Sequence, residues 1–275
     1  MSARGRFLSA LVTVVTAISA FTVAGALPAT ANSGTVRYVA LGDSYAAGQG
    51  APPYDLDKAC KRSSKGYPAL LAAEKHIRLE ANEACSGAKT ADVAKQLSAL
   101  NAAQTRLVTL TVGANDLNVS AVANTCLRTP ADCEKAIQMA LRGLSMLGSD
   151  LTHLYAEVAE AAPKALIVVT GYPHLLESTA PFDPRLIAAL NTATDELNDT
   201  IQKAVHAADP TGTKIIYVDV VDAFAGHGIG GTEELFINDS GVDAFHPNAA
   251  GYVAYADAIS AQLPDAWLDK QKQLA

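Results

Sequence analysis

The chain has 275 residues, 49% hydrophobic and 18% charged, with 21 basic against 28 acidic side chains for a formal charge of −7. An apolar, weakly charged chain of this length can bury a core, which excludes a mainly disordered protein. The acidic balance speaks against gripping nucleic-acid backbones, and an aromatic content of 6% speaks against a stacking surface for bases or sugars.

Residues 1–31 read as a secretory signal peptide. Arg4 and Arg6 form a basic start, Phe7 to Leu27 carries no charge, and Ala29-Thr30-Ala31 is a small-residue cleavage site. The rival is an uncleaved anchor, since about 20 apolar residues span a bilayer. The cleavage site favours export. The expected organisation is a signal peptide over 1–31 and one domain over 32–275, extracellular, monomeric and not inserted in a membrane.

Strand and helix signals then alternate. Thr35 to Leu41 is β-branched and aromatic and ends at Gly42, a first strand. Tyr67 to His76 has helical spacing, and Ile77 to Ala84 alternates as a second strand. Ala88 to Leu100 is helical, with Val93, Leu97 and Leu100 on one face. Arg106 to Val112 is a third strand. Ala131 to Ala162 is a long helical stretch that Gly143 or Gly148 could interrupt. Ala165 to Thr170 is a fourth strand. Pro184 to Ala208 is a helix with Asp183 as N-cap. Lys214 to Val221 is the last central strand, and Pro247 to Leu263 is a closing helix with Pro247 in its first turn. Apolar strands separated by helices predict a parallel sheet covered on both faces.

Four cysteines, Cys60, Cys85, Cys126 and Cys133, suggest two disulfides in an exported chain. Three pairings are open; pairing in sequence order would close two short loops. The spacings contain no C-x-x-C and no neighbouring His, so zinc is not expected.

In parallel sheets, reactive groups gather at the carboxyl ends of the strands. After the first strand comes Gly42-Asp43-Ser44-Tyr45. Its serine is either an N-cap or an exposed nucleophile. Gly87, after the second strand, can bring an amide close to a ligand because it lacks a Cβ. Asn115, after the third strand, offers a neutral NH₂ donor. Asp243 precedes His246 by three residues, so its carboxylate could fold back onto Nδ1 and leave Nε2 to take a proton from a serine. Each feature alone reads as an ordinary turn, cap or surface residue. Together they supply nucleophile, base, orienting acid and oxyanion donors.

These blocks, GDSY at 42–45, Gly87 in SGA, GAND at 113–116 and DAFHPN at 243–248, resemble the GDSL/SGNH hydrolase superfamily. Within it the chain most resembles secreted actinomycete esterases and lipases. The resemblance implies a single-domain three-layer α/β/α sandwich with a central, mostly parallel, flavodoxin-like sheet. It implies a Ser44–His246–Asp243 triad, favoured by the presence of Asp243 over the serine–histidine dyad of relatives that replace the acid with a backbone carbonyl. It implies an oxyanion hole of Ser44, Gly87 and Asn115, and Cys60–Cys85 and Cys126–Cys133 disulfides. It also implies cleavage of carboxylic esters, small-molecule or lipid, without metal or organic cofactor. Phospholipase A-type activity and carbohydrate deacetylation are alternatives on the same site; a non-catalytic binding protein on this fold is a further one. His227 is a second candidate base without an acid three residues before it, and His76, His153, His174 and His206 also lack a matching acid. Asp43 is read as a backbone-holding residue rather than the triad acid. A histidine base would make activity rise through a pKa near 6.5, its ordinary value. An α/β-hydrolase elbow is not matched, because G-x-S-x-G would require Gly where Ala46 stands.

Overall fold

Five runs rich in branched side chains form β1 (Val36–Gly42), β2 (Ile77–Asn82), β3 (Leu107–Thr111), β4 (Leu166–Thr170) and β5 (Ile215–Val218). In this computed structural model residues 35–73, 76–237 and 241–274 are described; the expected signal peptide over 1–31 lies outside the described residues. The sheet order is β2-β1-β3-β4-β5, with every neighbouring pair parallel. The chain moves from β1 outward to β2, then returns to lay β3 on the other side of β1. That reversal opens a crevice beyond the carboxyl ends of β1 and β3, where a parallel sheet leaves room for a ligand.

Alternate residues of each strand face opposite layers. Val36, Tyr38 and Ala40 of β1 pack with Leu166 and Val168 of β4 toward α2 (Tyr67–Ala73) and α9 (Ala249–Gln262). Val39 and Leu41 pack with Val108, Leu110, Ile167 and Val169 toward α3 (Thr90–Gln96), α6 (Leu144–Ala161) and α7 (Pro184–Ala208). The result is the expected single three-layer α/β/α domain. The first layer is less apolar than the strand composition suggests. Buried Thr109, Thr111 and Thr170 bond to Tyr38, Tyr67 and Tyr255 at 2.6–2.9 Å, so the interior hydroxyls satisfy one another.

Several boundaries differ from the sequence expectation. The stretch 131–162 divides into α5 (Pro130–Leu141) and α6, with the break at Arg142 and Gly143; a Cβ on Gly143 would come within 2.8 Å of Leu117 Cδ2. Gly148 interrupts nothing and sits inside α6 against Thr200 of α7. The closing helix begins at Ala249, because the Asn248 side chain accepts from the amides of Ala250 and Gly251 and serves as the cap, leaving Pro247 outside. The last strand ends at Val218, and the chain turns into α8 (Val221–Phe224). A short α1 (Ser44–Ala47) stands where the N-cap reading of Ser44 expects a helix, but Asp43 is its cap and Ser44 its first residue. Two further helices, α4 (Val119–Arg128) and α10 (Asp265–Leu274), carry no sequence expectation. The cysteines pair as Cys60–Cys85 and Cys126–Cys133, the second joining α4 to α5.

Candidate active site

Strand β1 ends at Gly42, with φ +131, where a Cβ would lie 2.3 Å from the Thr111 carbonyl oxygen. Only glycine accommodates that conformation at that distance. The chain then bends directly into α1. The Asp43 carboxylate accepts from the Tyr45 amide at 3.0 Å and from the Tyr172 hydroxyl at 2.5 Å. Asp43 therefore holds the local backbone and makes no bond to His246. Burial pushes its pKa up to about 7, against the lowering effect of those hydrogen bonds.

Ser44, the first residue of α1, points its Oγ at His246 Nε2, 2.8 Å away and 202 positions later in the chain. The imidazole is held from two sides. Its Nδ1 lies 3.0 Å from the Ala244 carbonyl and 3.3 Å from the Asp243 carbonyl. Carbonyls only accept, so the proton sits on Nδ1 and the Nε2 lone pair faces the serine. On its flank the Tyr45 ring packs at 5.5 Å between centroids. Burial pushes the His246 pKa down to about 4, with Lys61 adding to the fall and the carbonyl contacts and Asp243 opposing it. The imidazole is thus neutral well below the pH that an ordinary histidine would need.

The expected carboxylate–imidazole contact of Asp243 is not formed. Its main-chain oxygen faces Nδ1, while its carboxylate accepts from Lys61 Nζ at 2.8 Å. The Asp243 side chain is drawn to a cation on another loop, and Asp243 and Ala244 present carbonyls to the ring instead. Burial raises the Asp243 pKa, but Lys61 and Tyr54 outweigh it and hold the group below the ordinary carboxylate value.

Gly87 and Asn115 join Ser44 and His246 around a groove of about 620 Å³. Gly87 has φ +83, with open space where a Cβ would be. Among the described residues neither the Ser44 nor the Gly87 amide has a protein acceptor. Asn115 Nδ2 gives one hydrogen to the Ala88 carbonyl at 3.0 Å, which leaves one to donate elsewhere. Two unengaged amides and one half-engaged NH₂ beside a hydroxyl–imidazole pair can stabilise a developing oxyanion.

A second, narrower space of about 100 Å³ also begins at Ser44 and His246 and runs between α4, α5 and α7, past Ala123, Ile137, Leu141 and Leu190. One of its walls, Val119, Ser120, Val122 and Ala123, comes from α4, a helix with no sequence expectation. The apolar spacing of Val119, Val122, Ala123 and Cys126 is the signal that marks it.

Of the other histidines, His227 faces the Thr232 carbonyl at 2.7 Å and does not border either space. His174 pairs at 2.6 Å with Asp195, an acid 21 residues later in the chain, in an exposed contact away from Ser44, which suits a structural or surface histidine. No group of three or more His, Cys, Asp or Glu among the described residues is arranged to hold a metal.

The profile of the GDSL-like lipase/acylhydrolase family matches residues 40–254. A lipase of Streptomyces rimosus is 38% identical over 225 residues, covering 78% of this chain and 81% of that protein. The crystal structure of an extracellular lipase from Streptomyces rimosus superposes with a TM-score of 0.77 at 32% identity, covering 83% of this chain and 100% of the other. The crystal structure of phospholipase A1 from Streptomyces albidoflavus gives the same TM-score, 0.77, at 35% identity and the same coverage, 83% and 100%.

Proposed function

The chain belongs to the GDSL-like lipase/acylhydrolase family and is a carboxylic ester hydrolase, and on that premise we propose that it is an exported lipase or esterase working through an acyl-enzyme on Ser44. Ser44 Oγ attacks the ester carbonyl carbon and passes its proton to His246 Nε2. The tetrahedral oxyanion takes hydrogen bonds from the Ser44 and Gly87 amides and Asn115 Nδ2. As it collapses, the C–O bond breaks and His246 returns the proton to the leaving alcohol. Water then attacks the acyl-enzyme, with His246 again as base, and releases the acid. His246 is steadied by the Asp243 and Ala244 carbonyls, so the reading is a serine–histidine pair with main-chain support in place of a carboxylate triad.

The carrying observation is the 2.8 Å Ser44–His246 contact at the point where an apolar space opens. That space suits an acyl chain, which favours lipid or medium-chain esters over acetyl groups on sugars. Two disulfides suit an oxidising compartment, and the similar Streptomyces rimosus lipase is extracellular. No helix among the described residues is long and apolar enough to cross a membrane. With a signal peptide over 1–31, the working protein is residues 32–275.

A second reading, glycerophospholipid as substrate, has its own support. Arg128, at the end of α4, borders the wide groove with Ser120 and Asn124, and among the described residues that line it Arg128 alone carries a permanent charge. A cation there would face the phosphodiester of a lipid whose acyl chain lies in the narrow space.

The test uses p-nitrophenyl esters of rising chain length, a triglyceride, a phospholipid and acetylated xylan, with wild type and Ser44→Ala. Wild type should cleave the acyl esters and be labelled at Ser44 by a serine-directed phosphonate; Ser44→Ala should do neither. Turnover by Ser44→Ala at the wild-type rate would refute the reading. Arg128→Gln should weaken phospholipid cleavage alone if the second reading holds.

A further inference from the structure

The segment that carries His246 is held from outside by a loop with no part in the chemistry. Lys61 Nζ donates to Asp243 Oδ1 at 2.8 Å and to the Val242 carbonyl at 3.3 Å. Gln49 Nε2 donates to the same Val242 carbonyl at 2.7 Å, and Ser86 Oγ donates to Gln49 Oε1 at 2.5 Å. Lys61 Nζ lies 5.8 Å from the Tyr54 ring centroid, so the ring also flanks the ammonium. The ion pair is mostly shielded, with side chains 21% and 24% exposed, so water competes with it less than with a surface pair.

The loop is itself braced. Lys61 takes a left-handed conformation, φ 55, between two anchored neighbours. Cys60 is bonded to Cys85, and its carbonyl accepts from the Ser86 amide at 3.1 Å. Arg62 Nε donates to the Ala84 carbonyl at 2.8 Å. The residues that fix Lys61 thus stand at 84–86, immediately before Gly87. One rigid unit reaches both the base-bearing segment and the segment of the glycine amide.

We propose that Lys61 is a positioning residue for ester hydrolysis: by latching Asp243 and Val242 it aims the Asp243 and Ala244 carbonyls at His246 Nδ1. The proposal rests on the reading of His246 as the base. On this account the Asp243 carboxylate serves catalysis from the far side of its own residue. It fastens the backbone rather than touching the imidazole. Without the latch the carbonyls would move, the ring would lose its orientation toward Ser44, and turnover would fall while substrate binding stayed.

The test measures kcat and KM on one p-nitrophenyl ester for Lys61→Met, Asp243→Asn, the double variant and Lys61→Arg. Rates are normalised to the sites titrated by a serine-directed phosphonate, and thermal melting verifies folding. A misplaced reacting group costs about 10²-fold, so Lys61→Met and Asp243→Asn should each lose kcat on that order with KM unchanged. The double variant should be no worse than either single one, because both break one link. Lys61→Arg should recover most of the rate. If Lys61→Met does not fold, Lys61→Gln is read in its place.

Two results overturn the latch. One is an Asp243→Asn loss near 10⁴ beside a Lys61→Met of wild-type rate, as for a carboxylate acting directly on the ring. The other is wild-type kcat in both single variants. Failure of the underlying reading looks different: wild type itself would not be labelled at Ser44.

Discussion

The Tyr45 hydroxyl donates a hydrogen bond to the Phe245 main-chain carbonyl at 2.9 Å, joining the residue after the serine to the residue before the histidine. Phe245 is held at φ 67, a conformation rare for side-chain-bearing residues, so the bond secures a bend that the chain would not favour alone. Tyr45→Phe keeps the ring against His246 and removes only this bond. A net hydrogen bond is worth roughly 0.5–1.5 kcal/mol, so the expected result is a loss of at most about tenfold in kcat and a slightly lower Tm. A full loss of activity in a folded Tyr45→Phe would contradict the assignment.

The neutral imidazole sets the pH dependence. With the His246 pKa pushed down to about 4, the acid limb of kcat/KM should lie near that value and not at the ordinary histidine value. Stopped-flow or pH-jump assays, short enough to precede acid unfolding, measure it. A half-maximum between pH 6 and 7, about the ordinary histidine range, would show that the base is more solvated than its burial indicates.

Asp43 should make stability depend on pH. Its folded pKa is raised to about 7, so the folded form holds a proton that the unfolded chain releases. The contribution is fully present below the ordinary carboxylate pKa and is lost as pH rises through about 7. Asp43→Asn does not titrate. The Tm difference, variant minus wild type, should therefore grow between pH 5 and pH 8. An identical difference at the two pH values would mean that Asp43 stays ionised in the core.

Asn115 tests the oxyanion site apart from the base. Asn115→Ala should lower kcat by about 10²–10³ with little change in KM, the loss typical of one oxyanion donor. It also frees the Ala88 carbonyl, so a small fall in Tm should accompany it. An unchanged kcat would place the oxyanion elsewhere.

The narrow space between α4, α5 and α7 should set chain length. Ala193→Phe puts a ring into its wall. The rate on long-chain p-nitrophenyl esters should then fall at least tenfold relative to the acetate, about 1.4 kcal/mol of discrimination. Equal effects on all chain lengths would show that the acyl group lies in the wider groove.

The parallel sheet and most of its helices were legible in the order of residues, because apolar periodicity and strand-ending glycines are local signals. So was the clustering of Ser44, Gly87, Asn115 and His246, since each stands where a strand ends or the last long helix begins, and strand ends of one parallel sheet meet at one edge. The cap at Asn248, the helix at 119–128 and the acyl-sized space were not. The first depends on which of two adjacent residues wins the helix start. The helix has apolar spacing but no side-chain cap to mark where it begins, and the space exists only where that helix meets α5 and α7.

Asp243 marks the division most sharply. Its distance of three residues from His246 suits a direct contact, and nothing local argues otherwise. What decides is Lys61, 182 positions earlier, which the fold places within 2.8 Å of the carboxylate. A carboxylate in a partly buried site goes to the nearest full charge, and backbone carbonyls then fill the place beside the ring. Sequence alone determined which residues could do the chemistry; only the packed chain determined which of their atoms face one another, because electrostatic partners are chosen by distance in space.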